Sequence, residues 1–132
     1  MATAFAAVKT RWLALWGASP PTYFDNELAS PPNDGAAFAR LSIAALPDPS
    51  STLGAIGSRR ITRRAVVILQ IAAPLDAGEG AALALVEAAR DVFERVTADD
   101  LHYEDAQVRQ GRSDGRWWLT RIDVPFHYSA TK

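Results

Sequence analysis

Cysteine is absent from this 132-residue chain. That excludes a disulfide framework, a thiolate zinc site and a thiol nucleophile, and it fits a reducing compartment. A charge excess of either sign is also missing. The formal net charge is −1, so the chain as a whole is no electrostatic nucleic-acid binder. No run approaches the ~20 apolar residues that span a bilayer. The apolar start, "MATAFAAVKTRWLALWG", is interrupted by Lys9 and Arg11 with no basic stretch before it. It therefore reads as a helix and not as a signal peptide, and the chain reads as soluble with no membrane partner.

What is present is enough for one domain, expected over residues 1–132. Ordering the backbone costs on the order of 1–2 kcal/mol per residue. Hydrophobic residues make up 48% of the chain, many of them alanine. The weight therefore falls on four Trp, five Phe, three Tyr and the Leu/Ile/Val set, each contributing roughly 1.5–3 kcal/mol when fully buried.

Phe5, Val8, Trp12, Leu15 and Trp16 recur at helical spacing, and Gly17 with Pro20-Pro21 ends the pattern. This predicts a first helix over about Ala4 to Trp16. Ser19 to Gly35 holds four prolines and reads as an extended connector, pinned to the core by Tyr23 and Phe24. Ala36 to Leu46 alternates as a strand. Pro47 to Ser58 is a Pro/Ser/Gly loop of the length at which loops usually serve function. Arg59 to Pro74 enters on arginines and continues as a β-branched apolar run. That pattern predicts a central strand covered on both faces. Leu75 to Val96 is the clearest helix, with Ala82, Leu85, Ala89, Val92, Phe93 and Val96 on one stripe. Leu101 to Gln110 reads as a strand and "GRSDG", Gly111 to Gly115, as a turn. The closing "GRWWLTRIDVPFHY" is a strand that completes an antiparallel hairpin.

The expected fold is α+β: a single four-stranded, mainly antiparallel sheet, the second helix packed on one face, and an N-terminal helix. In the last strand Trp118, Ile122, Val124, Phe126 and Tyr128 should face the helix. Trp117, Leu119, Arg121, Asp123 and His127 make a mixed second face, suited to the first helix or to a partner subunit.

Candidate chemistry is sparse. Gly78-x-Gly80 follows a strand and opens a helix, as phosphate loops do. The third glycine is replaced by Leu83, no Lys-Ser/Thr pair follows, and Glu79 would repel a phosphate. Asp76 with Glu79 three residues on reads better as a capping box. Arg59, Arg60, Arg63 and Arg64 fall within six residues. They could contact DNA or an acidic surface, or simply keep a strand entry solvated. His102 and His127 share no metal-ligand spacing with carboxylates. Asp99, Asp100, Glu104 and Asp105 form an acidic run too poor in convergent ligands to make a metal site. No nucleophile elbow is present. The residues give no active site, and no enzyme activity, cofactor or metal is expected.

The order of segments carries more. It runs from "YFDNE" and the proline connector through "FARLSI" and "RRAVVILQIAAPLDAGEGAALALVEAARDVFE" to "GRWWLTRIDVPFHY". This resembles the tail-terminator-like proteins of long-tailed bacteriophages, prophages and gene transfer agents, over about Tyr23 to Tyr128. The resemblance is strongest in "VVILQIAAPLDAGEGAAL" and "VPFHY", neither a catalytic motif. It implies a small α/β sheet flanked by helices. It also implies a homohexameric ring in the neck region of the virion, assembled in the bacterial cytoplasm. The ring caps the head-proximal end of the tail tube, stops addition of major tail tube protein and meets the head-tail connector or stopper. DNA passes through its channel without sequence-specific binding. The family offers no residue set to carry over. The interface candidates Arg59, Arg60, Arg63, Arg64, Trp117 and Leu119 therefore rest on this chain's own pattern. Another connector, such as a head-side stopper, is the neighbouring reading. A small ligand-binding α+β domain using the Gly78–Gly80 turn is the competing one.

Overall fold

The computed structural model describes residues 2–17, 21–24, 37–46, 60–75, 79–98, 100–114 and 117–131. Two helices, α1 (Ala2–Trp16) and α2 (Glu79–Phe93), pack on a sheet of seven strands. These are β1 (Thr22–Phe24), β2 (Phe38–Leu46), β3 (Arg60–Pro74), β4 (Thr97–Ala98), β5 (Leu101–Tyr103), β6 (Gln107–Asp114) and β7 (Trp117–Thr131). The spatial order is β1-β2-β3-β7-β5-β4, with β6 also paired to β7. Every pairing is antiparallel except β1 with β2.

The α+β class and the mainly antiparallel sheet match expectation, but the strand number does not. The extra strands are short, and each has a local cause. Thr22, Tyr23 and Phe24 pair with Ala39, Arg40 and Leu41, so part of the proline connector adds a strand at the sheet's edge. The single strand expected over Leu101 to Gln110 is broken in two. Its partner carries Pro125, whose carbonyl accepts from the Glu104 N–H at 2.9 Å but whose nitrogen cannot donate back. The ladder stops there. Pairing resumes at Gln107 with Asp123. Strand β6 then continues through Gly111 to Asp114, so the expected turn at Gly111 is strand. Two-residue β4 forms a small hairpin with β5.

The core lies between the helices and one face of the sheet. Ala39 and Leu41 of β2, Ala65, Val67, Leu69 and Ile71 of β3, and Ile122, Val124 and Phe126 of β7 are buried there. They interleave with Ala82, Val86, Ala89, Val92 and Phe93 of α2. Trp118 and Tyr128 lie on the same face of β7, as the alternation requires. Helix α2 ends where Arg95 takes φ 55°, a left-handed conformation usually left to glycine. The Arg95 N–H then bonds the Glu104 carbonyl at 3.2 Å, and its guanidinium pairs with Asp105.

Helix α1 packs on this same side. Trp12 is fully buried and stacks on Phe93 with ring centroids 6.0 Å apart. Its indole N–H donates to the Thr22 hydroxyl at 2.8 Å. The Arg11 Nε–H donates to the Val92 carbonyl at 2.7 Å, and Lys9 sits 4.4 Å above the Phe24 ring. This placement removes one of the two alternatives for the mixed face and corrects the expected double cover of β3. The first helix does not cover the mixed face of the sheet. Strand β3 is central, but among the described residues only one of its faces lies under helices, and Val66, Ile68 and Gln70 on the other are half-exposed.

Candidate interaction surface

Register and alternation together assemble the face opposite the helices. Even-numbered residues of β2 and β3 and odd-numbered residues of β7 share it. Its rows read Phe38, Ala72 and Leu119; then Arg40, Gln70 and Arg121; then Ser42, Ile68 and Asp123; then Ala44, Val66 and Pro125; then Leu46, Arg64 and His127. Most of these side chains are half-exposed, whereas most of their neighbours on the helical face are buried. An apolar strip of Ile68, Val66 and Leu46 lies beyond the polar row of Arg40, Gln70 and Arg121, which separates it from Phe38, Ala72 and Leu119.

A buried carboxylate lies within it. Asp123 is 7% exposed. It accepts from the Arg121 Nε–H at 2.8 Å and from the Arg109 Nε–H at 3.2 Å. Two cations therefore satisfy the buried charge, and the outer parts of both guanidinium-bearing side chains stay in water.

The expected interface residues do not form one patch. Arg59 lies outside the described residues, and Arg60 opens β3 with its side chain outside them. Alternation sends Arg63 to the helical face and Arg64 to the open one. Trp117 and Leu119 do lie on the open face, where the Trp117 ring meets Phe38 edge-on at 5.3 Å and Phe38 in turn meets Tyr23 at 5.7 Å. Arg64 pairs with His127, eight positions along β7 from Leu119, roughly 27 Å away at strand rise. Arg121 was expected on this face, and the arginines missed from sequence are Arg40 and Arg109, which join it in one row. Arg40, Arg121 and Arg109 lie on three different strands, and only the register brings them together.

His102 and His127 stack across β5 and β7 with ring centroids 5.0 Å apart. Glu104 lies 3.6 Å from the His127 Nδ1. Among the described residues no group of three His, Cys, Asp or Glu could hold a metal ion. Asp76 and Gly78 lie outside the described residues, as does the Glu79 side chain, while Gly80 sits in the first turn of α2 with open space around it. A groove of about 550 Å³ runs between the start of α2 and β6–β7, walled by Leu75, Leu83, Val86, Val108 and Trp118. Its floor explains Gly111. A Cβ there would fall 2.6 Å from Cε2 of Trp118, so the indole lies across a position only glycine leaves clear. No described helix is long and apolar enough to cross a membrane.

No protein-family model and no curated protein matches the chain. Eleven solved chains are similar to it. One aligns at 14% identity with a TM-score of 0.67, covering 93% of this chain and 91% of its own. At that identity the likeness shows a shared fold over nearly the whole of both molecules.

Proposed function

We propose that this protein is a structural component of a phage-like particle. In this reading it forms a ring that caps the head-proximal end of the tail tube, stops tube growth and joins the tail to the neck. The supporting observation is the open sheet face. A half-exposed apolar strip with arginines beside it lies opposite both helices and is covered by neither. Left to water, such a surface is a liability, and in a subunit it is an interface. The resemblance of segment order, from "FARLSI" through "VVILQIAAPLDAGEGAAL" to "VPFHY", supplies the assembly in which that interface would serve.

The mechanism is one of shape. Copies of the chain meet through unlike patches and close into a ring, which the family resemblance sets at six. The major tail tube protein would meet one end of that ring and a connector or stopper protein the other. DNA would pass through without its sequence being read. The reading requires no cofactor and no reaction. The test is a capping assay. Purified protein is added to growing tail tubes, and tube length and end occupancy are followed by electron microscopy. Arrested tubes bearing an end ring are the expected result. Tubes that lengthen unchanged, from a chain that stays monomeric at high concentration, would refute it.

A further inference from the structure

We infer that the open sheet face of one copy is covered by the outer side of α2 of a second copy, in a head-to-tail contact. The inference rests on the self-assembly part of the reading above and adds which two surfaces meet.

The two sides of the molecule differ in charge. The open face presents Arg40, Arg64, Arg109 and Arg121; of its carboxylates, Asp123 is enclosed by two of them and Glu104 lies 3.6 Å from the His127 Nδ1. The outer side of α2 presents Leu83, Glu87 and Asp91 at four-residue spacing, all exposed, with the half-exposed Arg90 3.9 Å from Glu87 beside them. Ala84 and Ala88 between them keep that side of the helix low. Face-to-face pairing of two open faces would set arginines against arginines, a juxtaposition that disfavours that complex. Pairing with α2 instead sets cations against anions and places Leu83 beside the apolar strip. A helix laid on that face also supplies the second cover that the "AVVIL" run of β3 calls for and the described helices do not provide.

The geometry gives the contact a direction. Helix α2 and the open face lie on opposite sides of one sheet, so a copy docked by one surface still offers the other. Such a contact repeats until it closes on itself or continues as a stack.

Charge reversal tests this directly on the whole chain. One variant carries Arg40→Glu and Arg64→Glu, which leave the Asp123 cluster intact. A second carries Glu87→Arg and Asp91→Arg, and a third carries all four changes. Mass is followed against concentration by light scattering after gel filtration, and a thermal melt confirms that each variant folds. Each pair alone should weaken association at least about tenfold, and the fourfold variant should recover most of it. If the pairs change nothing, or the folded fourfold variant is as weak as either pair, the docking is wrong though the ring may stand. If Arg40→Gln with Arg64→Gln strengthens association, the open face meets itself and the docking is again wrong. A wild-type chain that stays monomeric, alone and with tail tube, removes self-assembly and this contact together.

Discussion

Replacing Trp12 with alanine tests the placement of α1, on which the open face depends. The indole is fully buried, stacked on Trp16 at 4.6 Å and on Phe93 at 6.0 Å. It joins α1 to α2, and its N–H ties α1 to β1 through Thr22. Truncating a buried aromatic costs about 3–5 kcal/mol, a large share of the roughly 5–15 kcal/mol that a domain has in total. With an m-value of about 2 kcal/mol/M, a loss of about 4 kcal/mol lowers the urea midpoint by about 2 M. Equilibrium unfolding in urea, followed by far-UV circular dichroism, reads this directly. Two companions divide the effect. Thr22→Val leaves the indole N–H unsatisfied and should cost about 1–3 kcal/mol. Leu15→Ala, at a position 57% exposed, should stay within about 0.5 kcal/mol. A Trp12→Ala loss below about 1 kcal/mol would mean that α1 does not sit on the α2 side, and the open face would lose its claim to be uncovered.

Three further substitutions probe the groove beside α2, the open face and the end of α2. Gly111→Ala drives a methyl group into the Trp118 indole; the ring must swing out, with a shifted tryptophan emission and a loss of about 1–3 kcal/mol. Asp123→Asn keeps the shape but removes the charge that Arg109 and Arg121 share. Because those arginines are half in water, the expected loss is about 1–2 kcal/mol, shrinking in high salt. Asp105→Asn should flatten the acid side of the stability profile. The hydrogen bond from Arg95 holds the Asp105 carboxyl below its usual range. The stability it brings is therefore present above the unfolded value and lost as pH falls through the folded one, so wild type should lose more than the variant between about pH 5 and pH 2.

Much of the fold can be read from residue order because its larger elements each carry a complete pattern. The stripe of Ala82, Ala89, Val92 and Phe93 marks α2, and the alternation of Ile122, Val124 and Phe126 marks the helical face of β7. What escaped was set by contacts between distant segments. Three-residue β1 is a strand only because β2 lies alongside it. Arg95 stops a helix without glycine because Glu104 and Asp105 hold it. An amphipathic helix shows that it has an apolar side and not which face of a sheet receives it, so the sequence left the seat of α1 open. Pro125 was a readable signal, since a proline in a paired strand must break one ladder. The interaction surface was half legible. Trp117 and Leu119 follow from alternation, whereas the row of Arg40, Arg121 and Arg109 exists only once three registers are fixed.

Strand β7 pairs with β3, β5 and β6 and follows all three in the chain. On a ribosome, β3 therefore emerges with only β2 to bond, and its other edge stays bare until the Trp117–Thr131 segment has been made. The longest apolar strand thus spends synthesis as an unprotected edge, the state most prone to wrong partners. Closing a sheet through pairs as remote as Arg60 with Thr131 is also slow. A subunit built this way is most exposed to aggregation before it is finished, and its yield in a cell should depend on holding chaperones more than on its final stability.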